Sequence, residues 1–182
     1  MRIALSGTPG TGKTSVAKEL SACGFHVVDL HELAEQQHFF SGVDRKRNSK
    51  LLDMTLVNRY IKQHFHTEDT VVFEGLAAHL VKSVEKVIVL RCHPRVLKQR
   101  LQQKGWTAEK IHENLEAEAL DIILSESVEL HDSNDIVEVD TTKKTAVETA
   151  EIIKRMIRTR FQQVTKYKIG QLDWSEEILK GL

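Results

Sequence analysis

The stretch "GTPGTGKTS", which begins at Gly7, constrains this chain more than any other part of its sequence. It follows the apolar run "RIALS" and precedes "VAKELSAC", which has helical periodicity. It matches the pattern G-x-x-x-x-G-K-[ST], placed between a strand and a helix. This context predicts a phosphate-binding loop (P-loop) at the first strand of an α/β chain. The alternative is a glycine-rich turn that carries a surface lysine.

The residue types in this loop suit a bound triphosphate. Gly10 and Gly12 permit backbone conformations that a Cβ would block, so main-chain N–H groups can surround phosphates at the N-terminus of the next helix. Lys13 is expected to neutralise charge between the transferred and leaving phosphates, and Thr14 to present its hydroxyl to Mg²⁺. We therefore predict that ATP is bound by Gly7, Gly10, Thr11, Gly12, Lys13, Thr14 and Ser15.

Five apolar runs that alternate with helical segments predict the fold. The runs are "RIALSG", "HVVDL", "TVVFEG", "KVIVLRC" and "DIVEVD". Strands that are almost continuously apolar and separated by helices favour a parallel sheet covered on both faces, which is a three-layer α/β fold. For 182 residues we expect a single domain, 1–182. Within it we expect irregular stretches near 41–50 and 103–113, and one long helix over about 107–129.

Three further segments extend the predicted site. Glu74 ends the third strand, where P-loop proteins often place an acid that holds Mg²⁺ through water; a glutamate facing solvent is the alternative. Arg100 and Lys104 lie near the break at "KGWTAEK" and either fold over the phosphates or belong to a solvated helix face. The loop "VDTTKKT" follows the last strand, and either touches the adenine or caps the last helix through Thr141 or Thr142. We expect catalytic roles for Lys13, Glu74 and Arg100.

Charge gives no whole-chain argument for a nucleic acid or membrane partner. The 26 Lys and Arg residues balance the 26 Asp and Glu residues. No apolar run approaches the roughly 18 residues of a membrane helix. The two cysteines have no metal-type spacing and fit reduced thiols, so we expect a cytoplasmic protein with no membrane contact. The charge is nevertheless segregated: 112–140 carries ten acidic residues and no Lys or Arg, 152–172 carries six basic residues and no acid, and 44–50 reads "DRKRNSK".

Together these motifs resemble the nucleoside monophosphate (NMP) kinases, and more closely the adenylate kinase isoenzyme 6 family, in an archaeal-type form. The resemblance rests on "GTPGTGKTS", "VLRCHPRVLKQRL" and "KGWTAEKIHENLEAE", and covers most of residues 1–130. It implies a P-loop kinase fold with five parallel strands, an NMP-binding region at about 29–52 and a short lid at about 103–113. A C-terminal basic helix and tail follow at 145–182.

The resemblance also implies an activity and partners. The activity is phosphoryl transfer from ATP to AMP, somewhat broad in nucleotide, with slow ATP hydrolysis. Lys104 would also bind ATP. The implied partners are AMP or another nucleoside monophosphate, a small-subunit ribosomal protein of the platform region, and ribosomal RNA during its maturation. An ATP-switched assembly factor with little kinase activity, and a kinase of another small acceptor, stay open as alternatives.

Two positions depart from the pattern of this family. Lys104 replaces an arginine that often precedes the lid glycine, which keeps the charge but loses the bidentate fork. Leu76 stands where a histidine often follows the strand-end acid, and the nearest histidine, His79, lies three residues further on. If that histidine orients attacking water, its replacement affects hydrolysis more than transfer to AMP, because an acceptor phosphate is already ionised.

The first prediction concerns Lys13. The variant Lys13→Ala should lose ATP turnover while keeping its fold, because the change removes a charge that acts on the phosphates rather than a core contact. A coupled assay of ADP formation and a circular dichroism spectrum measure the two quantities. Phosphoryl transfer retained in a folded variant would contradict the assignment of the loop.

Overall fold

The computed structural model describes residues 1–44, 49–66 and 70–179. Its strands are β1 (Arg2–Gly7), β2 (His26–Asp29), β3 (Phe40–Asp44), β4 (Ser49–Leu52), β5 (Val71–Glu74), β6 (Lys86–Arg91) and β7 (Ile136–Asp140). Its α-helices are α1 (Lys13–Ala22), α2 (Leu30–Gln37), α3 (Met54–His64), α4 (Pro94–Gln103), α5 (Ala108–Ala119), α6 (Ile122–Leu130), α7 (Ala146–Arg158) and α8 (Ser175–Leu179). Within the described ranges, no helix combines the length and apolar character needed to cross a membrane.

The main sheet confirms the predicted α/β fold with five parallel strands. Its order is β2-β5-β1-β6-β7, and every neighbouring pair is parallel. β1 lies at the centre, where Ile3 is in register with Val72 of β5 and with Lys86 of β6. Since all five strands run the same way, their carboxyl ends meet at one edge of the sheet. The P-loop, Glu74 and the loop after β7 all begin at that edge.

Side chains of the central strands alternate between two apolar layers, as the pleat of a strand requires. Ile3 and Leu5 pack in the layer that includes α1 and α7, whereas Ala4 packs in the layer that includes α3 and α6. All three are fully buried. A smaller third cluster lies under α4 and α5, and consists of Cys92, Leu97, Leu101, Ile111 and Leu115. Helices therefore cover both faces of the sheet, and the third cluster supports the edge where the P-loop lies.

The stretch expected to be irregular at 41–50 contains strand structure. β3 and β4 form an antiparallel pair in which Val43 is in register with Lys50. The Lys50 ammonium lies 4.8 Å from the centroid of the Phe40 ring and 3.4 Å from a carboxylate oxygen of Glu35. These contacts join residues that are distant in sequence, so the polar pattern of the stretch did not indicate them. Residues 45–48, which hold most of the basic segment "DRKRNSK", lie outside the described residues.

The single helix expected over 107–129 is wrong, because α5 and α6 are separate helices. Asp121 lies between them in the left-handed conformation, with φ 55°. Aspartate tolerates this conformation better than most residues. Its carboxylate accepts a hydrogen bond from the guanidinium of Arg91 on β6. The break therefore depends on a partner 30 residues away in the chain, which helical periodicity cannot show.

A buried cluster of charges surrounds Arg91, which is 2% exposed. Its Nε donates to Oε1 of Glu118 at 2.9 Å and its Nη1 donates to Oε1 of Glu138 at 2.5 Å, while Asp121 binds Nη2. Three of the ten acidic residues in 112–140 therefore contact Arg91, so this acidic segment is not simply a solvent-exposed face. The cluster ties α5, the start of α6 and β7 to the end of β6.

The chain after α7 packs against this same edge of the fold. Lys168 forms an antiparallel bridge with Val137 of β7, and the N–H of Gly170 donates to Oε2 of Glu138 at 2.8 Å. Further along, the Trp174 ring lies 4.8 Å from the ring of His93, centroid to centroid. The C-terminal segment is therefore part of the packed fold as far as Trp174.

The second prediction concerns the Arg91 cluster. The variant Arg91→Leu should lose about 3–5 kcal/mol of unfolding free energy at pH 7, because it leaves buried carboxylates without a counter-charge. Burial already raises the pKa of Glu138, and Arg91 opposes that rise. Without Arg91 the folded-state pKa is higher still, so the destabilisation is complete above that pKa and shrinks as Glu138 takes up a proton on acidification.

Denaturant unfolding at pH 7 and pH 5 measures this effect. The matched control is Lys86→Leu at the other end of β6, where the pair with Asp135 is partly exposed. That variant should lose less than about 1 kcal/mol. A loss for Arg91→Leu no larger than that of the control, or one that grows on acidification, would contradict the prediction.

Candidate nucleotide-binding site

The P-loop connects β1 to α1, and two of its glycines have positive φ. Gly10 has φ 93°, and a Cβ there would also lie 2.7 Å from Cδ1 of Leu97 and 2.9 Å from Cδ2 of Leu101, so both its conformation and the packing of α4 favour glycine. Gly12 has φ 105° and would place a Cβ in open space. Gly12 is therefore required by its backbone conformation, while the space beside it stays open to a ligand.

The N-terminus of α1 faces this open space. Gly12 precedes the helix and has no side chain that could cap it. The first-turn N–H groups, which a helix cannot satisfy internally, are therefore available to an anion, and the helix dipole favours negative charge there. The same turn carries Lys13, Thr14 and Ser15, three of the residues predicted to bind phosphate.

The side chain of Lys13 folds back along the loop. Its Nζ donates to the carbonyl oxygen of Gly7 at 2.7 Å and to that of Thr8 at 3.3 Å. Burial lowers the pKa of Lys13 to about 8, although the negative charges of Glu74 and Glu118 act in the opposite direction. A phosphate placed beside this ammonium would favour its charged form.

Thr14 and Glu74, which sequence reasoning placed together around Mg²⁺, are in direct contact. The Thr14 hydroxyl donates to Oε1 of Glu74 at 2.8 Å. Glu74 is only 4% exposed, and burial raises its pKa. The charge of Asp29, at the end of β2, raises the pKa further. A hydroxyl beside buried carboxylate oxygens is a donor set of hard ligands, so these residues fit Mg²⁺.

Two adjoining cavities lie along the P-loop. The smaller, about 210 Å³, is lined by Lys13, Thr14 and Trp106 together with the loop backbone. The larger, about 310 Å³, extends from Thr11 towards α4 and the loop after β7. Both cavities are lined in part by Gly10, Gly12, Ser15 and Lys104. Of the residues predicted to bind ATP in the P-loop, all but Gly7 line one or both of these adjoining cavities; the carbonyl oxygen of Gly7 accepts from Lys13.

The structure separates Arg100 from the other two predicted catalytic residues. Arg100 lines the larger cavity, whereas Lys13 and Thr14, the hydrogen-bond partner of Glu74, line the smaller one. Its Nη2 donates to the carbonyl oxygen of Thr141 at 2.7 Å, and its Nη1 donates to the Thr141 hydroxyl at 3.2 Å. Its catalytic role stays a prediction. Lys104, at the end of α4, lies where both cavities can be reached.

The loop after β7 does not cap the last helix through Thr141 or Thr142, so that interpretation is wrong. Thr145 is the cap of α7, in a capping box with Glu148. Thr141 instead lines the larger cavity together with Lys144. Sequence reasoning missed this use of the Thr141 side chain, although its place directly after a strand was a signal of proximity to the ligand edge.

Leu76 stands where the resembled family often has a histidine near the strand-end acid. No histidine is among the residues that line either cavity, so none there replaces it. Leu76 itself is 52% exposed. The buried ring of His79 lies with Nδ1 3.0 Å from the Ser6 hydroxyl and Nε2 2.7 Å from Oε2 of Glu126. His79 thus joins β1 to α6 and does not substitute for the missing histidine.

Comparison with known proteins agrees with this geometry. The family model described as "AAA domain" matches residues 3–121. A protein of Methanosarcina acetivorans described as "Putative adenylate kinase" is 38% identical, over 98% of this chain and 100% of its own length. The protein of Archaeoglobus fulgidus with the same description is 38% identical, over 98% of this chain and 94% of its own.

Among solved structures, a shikimate kinase from Acinetobacter baumannii in complex with shikimate superposes with a TM-score of 0.61. It is 18% identical, and the match covers 89% of this chain and 95% of that one. A shikimate kinase from Aquifex aeolicus superposes with a TM-score of 0.52 at 17% identity, over 88% of this chain and 98% of its own. At these identities the likeness concerns the fold.

Sheet order, loop and groove place the chain in the class of P-loop proteins with a kinase fold. Within that class, the archaeal relatives that match over nearly the whole chain identify the family. The chain belongs to the AAA-domain P-loop family and, inside it, to the adenylate kinase-like proteins represented by these archaeal relatives. This confirms the resemblance that the motifs indicated.

The third prediction concerns the proton on Lys13. In the free protein its pKa is lowered to about 8, so the side chain is largely neutral at pH 9. Bound ATP should raise that pKa by adding negative charge, so binding should take up protons at pH 9 and far fewer at pH 7. Calorimetry in buffers of different ionisation enthalpy measures this uptake.

The matched control for this measurement is Lys13→Arg, which keeps the positive charge but does not titrate in this range. The uptake at pH 9 should disappear in that variant. Equal uptake by the two proteins would show that another group takes the proton.

Proposed function

We propose that this protein is an ATP-dependent nucleoside monophosphate kinase that transfers the terminal phosphoryl group of ATP to AMP and yields two ADP. The observation that carries the proposal is a cavity at the N-terminus of α1 that is lined by Lys13 and Thr14 and adjoins a second cavity, with the Thr14 hydroxyl bound to Glu74. The smaller cavity suits the phosphates and the larger one the nucleoside of ATP. The description of the relatives as adenylate kinases supports AMP as the acceptor.

In this proposal the P-loop binds and orients the triphosphate. The first-turn N–H groups of α1 and the ammonium of Lys13 hold the phosphates and stabilise the charge that spreads over them during transfer. Thr14 and Glu74 would hold Mg²⁺, Glu74 through water. When bound, that ion supplies further neutralisation of the phosphate charge.

Transfer to AMP needs position more than base catalysis. The attacking oxygen of a nucleoside monophosphate is already ionised, so no side chain has to remove a proton from it. This suits a site with Leu76 where relatives of the resembled family often have a histidine. We assign Lys104, at the turn between α4 and α5, to closure over the phosphates, and Arg100 to the donor nucleotide. The acceptor is assigned to the region 29–52, part of which lies outside the described residues.

A second candidate function is an ATP-switched assembly factor of the small ribosomal subunit, with slow ATP hydrolysis and little kinase activity. The observation that favours it is the exposure of basic side chains at and after the end of α7. These side chains are Arg155, Arg158, Arg160, Lys166 and Lys168. They offer a surface to a ribosomal protein of the platform region or to ribosomal RNA, in the cytoplasm. The same ATP site serves both candidates.

The fourth prediction separates these two candidates. ADP formation is measured with ATP and Mg²⁺, alone and with each of AMP, CMP, GMP and UMP. We expect strong stimulation by AMP, with two ADP formed for each ATP consumed, because AMP accepts the phosphoryl group. Lys13→Ala serves as the inactive control. Slow ADP formation that is indifferent to every monophosphate would contradict the kinase proposal and favour the assembly factor.

A further inference from the structure

Thr141 is a fully enclosed polar side chain at the point where three elements of the ATP site meet. It is 3% exposed. Its hydroxyl lies 2.8 Å from the carbonyl oxygen of Thr11 in the P-loop and 2.9 Å from that of Arg91 at the end of β6. It also accepts the bond from Nη1 of Arg100 on α4. One side chain therefore contacts the P-loop, the sheet and the cationic wall of the larger cavity.

The hydroxyl performs two tasks that an apolar side chain of the same shape cannot. The carbonyl oxygen of Arg91 also accepts the backbone N–H of Thr141 at 2.8 Å, and the hydroxyl is within hydrogen-bond distance of the buried carbonyl of Thr11, at 2.8 Å. The oxygen lone pairs then face Arg100. A hydroxyl donates and accepts at once, whereas the isosteric valine does neither.

The consequence for Arg100 is a fixed position. Its Nη2 binds the Thr141 carbonyl oxygen at 2.7 Å while Nη1 binds the hydroxyl of the same residue. Two contacts on one residue hold the planar guanidinium in a single orientation beside the groove. Because the same hydroxyl binds Thr11, one residue links Arg100 to the P-loop by hydrogen bonds, in addition to the packing of α4 on Gly10.

We propose that Thr141 is the positioning residue of the donor-nucleotide site, fixing the P-loop and Arg100 relative to each other. The inference deepens the proposed function and rests on it. The inference also predicts which of the two substrates is affected. Thr141 follows β7 at one edge of the sheet, whereas Asp29 ends β2 at the opposite edge, with β5, β1 and β6 between them. Loss of the hydroxyl should therefore weaken ATP binding and leave the acceptor side unchanged.

The chain offers a matched control in the neighbouring residue. The hydroxyl of Thr142 accepts the N–H of His93 at 2.9 Å and donates to Asp140. It thus belongs to the same loop and loses comparable hydrogen bonds when replaced by valine. None of its hydrogen-bond partners is in the P-loop or is Arg100, so a purely structural effect of the substitution would be shared by both positions.

The test compares Thr141→Val, Thr141→Ser and Thr142→Val with the unmodified protein. The measurements are KM for ATP, KM for AMP and kcat, the Kd for ATP by calorimetry without acceptor, and the melting temperature. We expect Thr141→Val to raise both KM and Kd for ATP about tenfold, the effect of losing hydrogen bonds that include one to a charged group. KM for AMP should stay within about twofold. Thr141→Ser and Thr142→Val should bind ATP as the unmodified protein does.

Several outcomes would overturn the proposal. These are an unchanged Kd for ATP in Thr141→Val, equal weakening of both substrates, equal weakening by Thr142→Val, or a serine variant as impaired as the valine variant. If Thr141→Val does not fold, Thr141→Ala removes the same hydroxyl without the second methyl group and receives the same measurements. Failure of the proposed function is distinguishable: the unmodified protein would then bind ATP without AMP-dependent ADP formation, and its Kd would still be compared with that of the variants.

Discussion

The burial of one guanidinium, that of Arg91, organises the edge of the sheet at which the site lies. A cation inside a protein must be matched by anions and hydrogen-bond acceptors. The carboxylates that meet this demand come from α5, from the turn before α6 and from β7. Satisfying one side chain therefore ties α5 and the turn before α6 to the end of β6 and to the edge strand β7. The carbonyl oxygen of Arg91 extends this order to Thr141, and through it to the P-loop.

The groove has two features that favour binding of an anion. The N-terminus of α1 has no side-chain cap, and burial lowers the pKa of Lys13. Both features favour a bound phosphate. The fold supports this unfavourable arrangement through apolar packing on both sides. Leu97 and Leu101 press α4 against Gly10, while Val16 and Leu20 hold α1 on the sheet. Such rigid support keeps donors in place when charge moves during a reaction.

Features that depend on local pattern were predictable from the sequence, and features that depend on distant contacts were not. The P-loop and the five strands follow from glycine spacing and apolar runs. The helix break at Asp121 and the Thr141 contacts need a partner far away in the chain. His79 shows the same limit, because spacing from Glu74 could not reveal that Ser6 and Glu126 hold its ring.

The central position of β1 has a consequence for the order in which the protein is made. β1 precedes both of its neighbours in the chain: in the register of the sheet, Ile3 pairs with Val72 of β5 and with Lys86 of β6. The carbonyl oxygen of Thr11 has a still more distant partner, the hydroxyl of Thr141, which is 130 residues away in the chain. Contacts of such separation form late, because long loops must close first. The contact between the P-loop and Thr141 can therefore form only after the chain has been synthesised as far as the residue that follows β7.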